Sequence, residues 1–308
     1  MSIMNKVQLL SPKKRFRDGM IEDKTFSGML ADTIIIIILI AIAFACLVPL
    51  WHVFIASISD GQTLLRHAGL LIWPVGQPTL DGYSLVLRDN SIVSGYFNTI
   101  IYVVGEVGFG VVLNVLAGYV LSRRTKLRRT LTIFVVFTLL FSGGTVPIYM
   151  VVRSLGMVGT RWALILPQCT NAAFLIMMVK AFESVPQSTV ESARIDGAGH
   201  IRTMFQVMLP QCFSYMLVIM INTGILAWNA WFHASIYVPS SKNLWPLQLW
   251  IRSIVSTNQD FMNWTNPDYS RYLIQYSVII LSTVPVLLLF PFFQKRLEKG
   301  IAAGAVKE

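Results

Sequence analysis

Asn222, Asn229 and His233 carry the first chemistry that can be read from this chain. On one helix at about 100° per residue they fall within about 40° of one another. Two amides and an imidazole each donate and accept hydrogen bonds, so such a stripe suits a hydroxyl-rich ligand. The same stripe suits bonding to a neighbouring helix, and both readings stay open. Trp228 and Phe232 offer rings for stacking on such a ligand, while Trp231 lies toward one end of its apolar run, where an aromatic-belt role fits. Glu106 is the one carboxylate inside an apolar run. An ionisable group at membrane depth is costly, so Glu106 is either functional or a carboxyl bonded within a helix bundle.

A second stretch, "ESARIDGAG" at Glu191–Gly199, interrupts long apolar runs with charge and glycine. Pro186 suits the first turn of a helix, and Gly197 suits a left-handed stop. A second short helix follows from about His200 to Met208, and Pro210 marks its exit. Val190, Ala193, Ile201, Met204 and Phe205 can pack on a protein surface, and Glu191, Arg194 and Asp196 offer charge pairs. The pattern also describes an amphipathic linker lying on lipid headgroups.

Other chemistry is missing. There is no G-x-x-x-x-G-K-[ST] phosphate loop, and the dipeptide Gly-Lys never occurs. "GEVGFG" at 105–110 has the wrong spacing for a dinucleotide loop. His52, His67, His200 and His233 form no metal-ligand set, and no G-x-S-x-G elbow is present. Cys46, Cys169 and Cys212 fit neither a disulfide framework nor a zinc site and read as packing residues. No catalytic constellation and no metal site is expected.

The elements that must position these residues are membrane helices. The 308 residues are 55% hydrophobic and 13% charged, about half the charge of a soluble domain. Six apolar runs reach spanning length: 33–55, 97–121, 131–152, 162–182, 213–238 and 273–293. The expected class is therefore all-α integral membrane, with a polar lead-in (1–32), a six-helix domain (33–293) and a tail (294–308). With six spans, most of the 25 Lys and Arg residues fall on the side of both termini, dominated by "KKRFR" and "RRTKLRR". Short basic loops stay inside, so both termini are read as cytoplasmic. These basic runs flank spans directly, which fits topology and headgroup contact rather than nucleic-acid binding. The first apolar run is too long for the core of a cleavable signal peptide. Gly105, Gly108, Gly110 and Gly118 let helix backbones approach, "SGGTVP" at 142–147 reads as a kink, and "DG" at 81–82 reads as a turn. Pro167 and Pro285 fit kinks beside a translocation pathway and fit an ordinary bundle equally well.

"ESARIDGAGHIRTMFQVMLP" resembles the EAA loop of binding-protein-dependent ABC importer permeases, with Glu191, Ala193, Asp196, Gly197, Ala198, Val207, Leu209 and Pro210 matching. Ser192 replaces the middle alanine, and Gly199 and His200 depart from the commoner residues there. Further stretches at 141–168, 227–238 and 244–255 resemble the MalG-type carbohydrate permeases, in the branch named after LplC and YtcP. The tail "KGIAAGAVKE" resembles that group's ending.

The resemblance implies an ABC type I importer permease (MetI-like) fold. It also implies four partners besides lipid: a MalF-type second permease, two ATP-binding cassette subunits and an extracytoplasmic solute-binding protein. No cofactor is expected in this chain, ATP and Mg being bound by the cassette subunits. By the same resemblance the loop residues Glu191, Ala193, Asp196, Gly197, Ala198, Leu209 and Pro210 couple to the ATPase. Lys299, Gly300, Gly304 and Lys307 of the tail would touch it, against the alternative of a disordered end. Competing readings are an importer for another solute, such as glycerol phosphate or a modified sugar, and a polytopic membrane enzyme.

Overall fold

The computed structural model describes residues 16–17, 20–21, 26–123, 125–256 and 271–305. Two short strands, β1 (Phe16–Arg17) and β2 (Met20–Ile21), pair antiparallel. The remaining regular structure among the described residues is helical.

Helix α1 (Phe26–Ser57) is long and apolar enough to cross a membrane unbroken, and none of its apolar window is buried within the chain. A helix that is apolar all round and yet exposed has lipid as its solvent. α2 (Gly61–Arg66) follows a side-chain cap, Thr63 N donating to Asp60 Oδ2 at 3.0 Å. The backbone amide and hydroxyl of Thr63 hold the Asp60 carboxyl below its ordinary range. "DG" at 81–82 is not the expected turn. It opens α3 (Asp81–Arg88), with Asp81 placed favourably in the first turn. Gly82 lies against Leu273 and Ser277 of the last helix, where a Cβ would overlap the Ser277 hydroxyl.

α4 (Asn90–Ser122) is the axis of the bundle. Asp89 caps it by accepting from Ser91 N at 2.7 Å. The third, fourth and fifth apolar runs are each broken, the third at the kink read in "SGGTVP", the fourth around Pro167 and the fifth without a comparable signal. The third divides into α5 (Arg128–Leu140) and α6 (Thr145–Ser154), bent by 118° where Gly144 adopts φ +79°. The fourth divides into α7 (Trp162–Ile165) and α8 (Ala172–Glu183). Pro167 removes a helix donor there, and Asn171 Oδ1 restarts the helix by accepting from Ala173 N at 2.8 Å.

Next come α9 (Gln187–Ile195), α10 (His200–Arg202), one wide π turn (Thr203–Met208) and α11 (Leu209–Gln211). The π turn absorbs Pro210, whose ring would otherwise strike the carbonyl one turn back. The fifth run then divides into α12 (Phe213–Trp228) and α13 (Phe232–Tyr237). The amphipathic α14 (Leu247–Ser256) packs on α4 through Leu247, whose amide donates to Thr99 Oγ1 at 2.9 Å. α15 (Arg271–Ala305) closes the chain beside α1 and α3.

The glycines of α4 set its packing. A Cβ on Gly105 would lie 2.8 Å from Ile165, and one on Gly118 would lie 2.9 Å from Met178. A Cβ on Gly110 would overlap the Cys169 carbonyl oxygen itself. Gly108 faces open space and takes no part in this approach. Three glycines thus hold the broken fourth run directly against α4. The tail also departs from expectation. Lys299, Gly300 and Gly304 lie within α15, because Ala302, Ala303 and Ala305 are strong helix formers continuing an established helix. Lys307 lies outside the described residues.

Candidate functional site

Two places gather the residues singled out in the sequence. The first is a cavity of about 310 Å³ inside the bundle. Its polar wall comes from Glu106 on α4, Gln168 and Asn171 in the break between α7 and α8, Thr223 on α12, and Asn229 and His233 around the break between α12 and α13. Each break matters. An unbroken fourth run would keep the backbone at 166–171 bonded to itself and turn Gln168 and Asn171 elsewhere. Glu106 is 3% exposed and faces this cavity. Thr223 Oγ1 is buried there without a hydrogen-bond partner. Unpartnered buried hydroxyls are uncommon, and one on a cavity wall is a group left for a ligand or water. Aromatic rings complete the wall: Trp231 and Phe232 meet edge to face at 5.7 Å, and His233 stacks on Tyr237 at 6.2 Å.

The polar stripe expected on one straight helix is split between two helices. Asn229 is the C-cap of α12, so His233 belongs to a different helix from Asn222. Asn229 and His233 still reach the same cavity, but Asn222 does not; it is exposed and its Nδ2 donates to Val218 O at 2.9 Å. Trp228 also turns away, its indole N–H donating to Ser282 O at 3.3 Å and its ring meeting Tyr96. Phe232 lines the cavity, and so does Trp231, which had suited an aromatic belt. Arg252 of α14 sits 4.0 Å over the Trp231 ring and fixes it.

The second place is the loop at the basic end. Gly197 has φ +77°. Ala198 N donates to Ala193 O at 2.9 Å and Gly197 N to Arg194 O at 3.0 Å, the paired bonds of a Schellman stop. This gives Ala193, Gly197 and Ala198 a shared physical role in ending α9. The apolar residues divide in a way the sequence pattern did not separate. Val190, Met204 and Met208 are buried in a core with Tyr119 and Phe182, and so fasten the loop to α4 and α8. Ile195 (86% exposed), Ile201 (74%) and Phe205 (49%) point outward. Glu191 and Asp196 are exposed on the same loop, Glu191 accepting from Gln187 Nε2 at 3.2 Å. Leu209 and Pro210 lie in the turn that leads into α12, across an 81° bend.

Residues 107–303 match the family described as binding-protein-dependent transport system inner membrane component. The chain belongs to that family. The permease is 34% identical to the polygalacturonan/rhamnogalacturonan transport system permease protein YtcP of Bacillus subtilis, over 90% of this chain and 98% of that one. It is 31% identical to Protein LplC of the same organism, over 92% and 97%. It superposes with a TM-score of 0.81 and 27% identity on a chain from the crystal structure of a bacterial ABC transporter involved in the import of the acidic polysaccharide alginate, covering 88% of this chain and 98% of that one. The permease is thus an integral membrane protein with the all-α, MetI-like fold of ABC importer permeases.

Gln168, Thr170 and Asn171 of the permease cavity were not singled out in the sequence. Their one signal was Pro167, which marks the helix break immediately before them. Thr223 carried no signal, because a single threonine in an apolar run is unremarkable until its neighbours are known.

Proposed function

We propose that this permease is one half of the membrane pathway of an importer that moves an oligosaccharide into the cytoplasm. The second half is a MalF-type permease, two cassette subunits bind Mg and hydrolyse ATP, and a solute-binding protein delivers the sugar. Residues 33–293 form the transmembrane domain, and the lead-in 1–32 and tail 294–308 lie in the cytoplasm with the loop at 186–210. The cavity of Glu106, Gln168, Asn171, Asn229 and His233 contributes to the sugar pathway. Its mixture of amides, a hydroxyl and aromatic rings is the chemistry that hydroxyl-rich ligands need. The relatives named for polygalacturonan, rhamnogalacturonan and alginate support a saccharide.

One observation carries the coupling half of the reading. Ile195, Ile201 and Phe205 stand exposed on a loop whose other face is anchored in the core. A rigid loop that presents apolar side chains beyond the membrane-crossing helices needs a protein to cover them. The test is to purify the assembled transporter and follow ATP hydrolysis with and without a sugar-loaded binding protein. Ile201→Ser with Phe205→Ser should release the ATPase while the permease still inserts. Full retention of the ATPase by that variant would overturn the coupling role.

A further inference from the structure

Behind the coupling loop lies a larger cavity, about 950 Å³, between the end of α4, the start of α5, the end of α8 and α9. Arg123, Arg128 and Arg194 line it, with His200. Among the described residues one carboxylate lines it, Glu183, already paired with Arg128 and, at 2.9 Å, with Lys180. Among the same residues Arg123 has no carboxylate partner. Its Nη2 donates to Met208 Sδ at 3.0 Å and to the Tyr119 hydroxyl at 3.3 Å, and its guanidinium lies 4.7 Å over the Tyr119 ring. Its Nε is buried without any hydrogen-bond partner. A thioether is a weak acceptor, so this guanidinium is held in place by a ring and left short of an anion. The Tyr119 hydroxyl also meets His200 Nδ1 at 3.2 Å, which ties the loop to the same spot.

We propose that this cavity binds the phosphate of an anionic phospholipid. A planar guanidinium fork matches phosphate oxygens, and Arg194 of α9 lines the same cavity with a second guanidinium. The apolar part of the lining favours a lipid over free phosphate. Val120, Phe182, Val185 and Val190 share the cavity, and Val120, three residues from Arg123 on the apolar α4, is 50% exposed. An acyl chain can therefore run down α4 while the headgroup sits between Arg123 and Arg194. Such a lipid bridges a membrane-crossing helix to the loop that the ATPase would move. Nothing in the sugar-transport reading is needed for this site.

The experiment is native mass spectrometry of the assembled transporter, extracted in mild detergent and titrated with phosphatidylglycerol, phosphatidylcholine or inorganic phosphate. Wild type should retain phosphatidylglycerol in preference to phosphatidylcholine. Arg123→Gln and, separately, the exposed Arg194→Gln should each lower that retention about tenfold, the size of one charge-assisted hydrogen bond. Arg194→Gln guards against a folding defect, because its side chain is not in the core. Equal retention of both lipids, or unchanged retention in both variants, would overturn the proposal. Binding of inorganic phosphate without phosphatidylglycerol would overturn the lipid and leave a soluble anion as the ligand. Crosslinking of a cysteine at 194 to an acidic segment of the ATPase, with lipid absent, would overturn it in favour of a protein partner.

Discussion

The loop at 186–210 and the central cavity are built by opposite means. In the loop, two backbone hydrogen bonds decide the outcome. Ala198 N to Ala193 O and Gly197 N to Arg194 O close a Schellman stop within six residues. In the cavity, Glu106, Asn171 and His233 come from three parts of the chain and meet because glycines of α4 seat the broken fourth run and the fifth run breaks beside the same space. A locally determined site tolerates change elsewhere. A site assembled from helix breaks depends on every close approach that brings those breaks together.

The largest expected effect breaks the cavity by changing one hydrogen into a methyl. Gly110→Ala places a Cβ onto the Cys169 carbonyl oxygen, and backbone cannot rotate away as a side chain can. We expect a loss of about 2 kcal/mol in stability, in the range for an overpacked core, with transport lost alongside it. Gly108→Ala, two residues earlier and facing open space, should instead gain about 0.5–1 kcal/mol from helix propensity. Thermal unfolding of the two variants in detergent checks the sign of each. Equal effects would mean that α4 does not seat on the break at Cys169.

A smaller effect sharpens the loop half of the comparison. Gly197 has φ +77° with nothing within 4 Å of where its Cβ would be, so a side chain there meets strain and no clash. Gly197→Val should cost roughly 1 kcal/mol or more, confined to the end of α9. The permease should still insert and keep its cavity, while stimulation of ATP hydrolysis by the loaded binding protein falls. Normal stimulation would show that the stop of α9 is not part of coupling.

These two sites also differ in how far the sequence exposed them. The loop was readable because its determinants are consecutive: Gly197 announced the stop and Pro210 the exit. What it did not reveal was which apolar residues turn inward. Val190 and Met204 were grouped with Ile201 and Phe205, and packing against α4 and α8 turns the first two inward while the other two stay exposed. The all-α membrane class followed from composition and run length alone. The interior of the runs did not, because hydropathy reports depth in a membrane and is blind to where a helix stops. Asn171 acts as a cap and Asn229 ends a helix, yet both sit in stretches that remain apolar on average. Trp228 lies within α12 and turns away from the cavity, in line with a wheel that points it elsewhere than the polar stripe, so it offers no stacking ring there.

The smallest effect separates two asparagines that a helical wheel cannot tell apart. Asn222 and Asn229 both bond back to a carbonyl four residues earlier, at 2.9 Å in each case. Neither is therefore needed to satisfy another helix, and replacing either by leucine should leave thermal stability within about 0.5 kcal/mol. Their surroundings differ. Asn229 borders the cavity with Glu106 and His233, whereas Asn222 is exposed away from it. If the cavity is part of the sugar pathway, Asn229→Leu removes a hydrogen-bonding group from the wall and should lower transport about tenfold, the scale of one lost bond to a ligand hydroxyl. Asn222→Leu should transport at the wild-type rate. ATP hydrolysis stimulated by the loaded binding protein should survive in both, since the loop is untouched. Uptake of labelled oligosaccharide into proteoliposomes decides between them. Equal transport by the two variants would detach the cavity from the pathway, and a deficit confined to Asn222→Leu would move the pathway to the exposed face of α12, where a second permease would have to complete it.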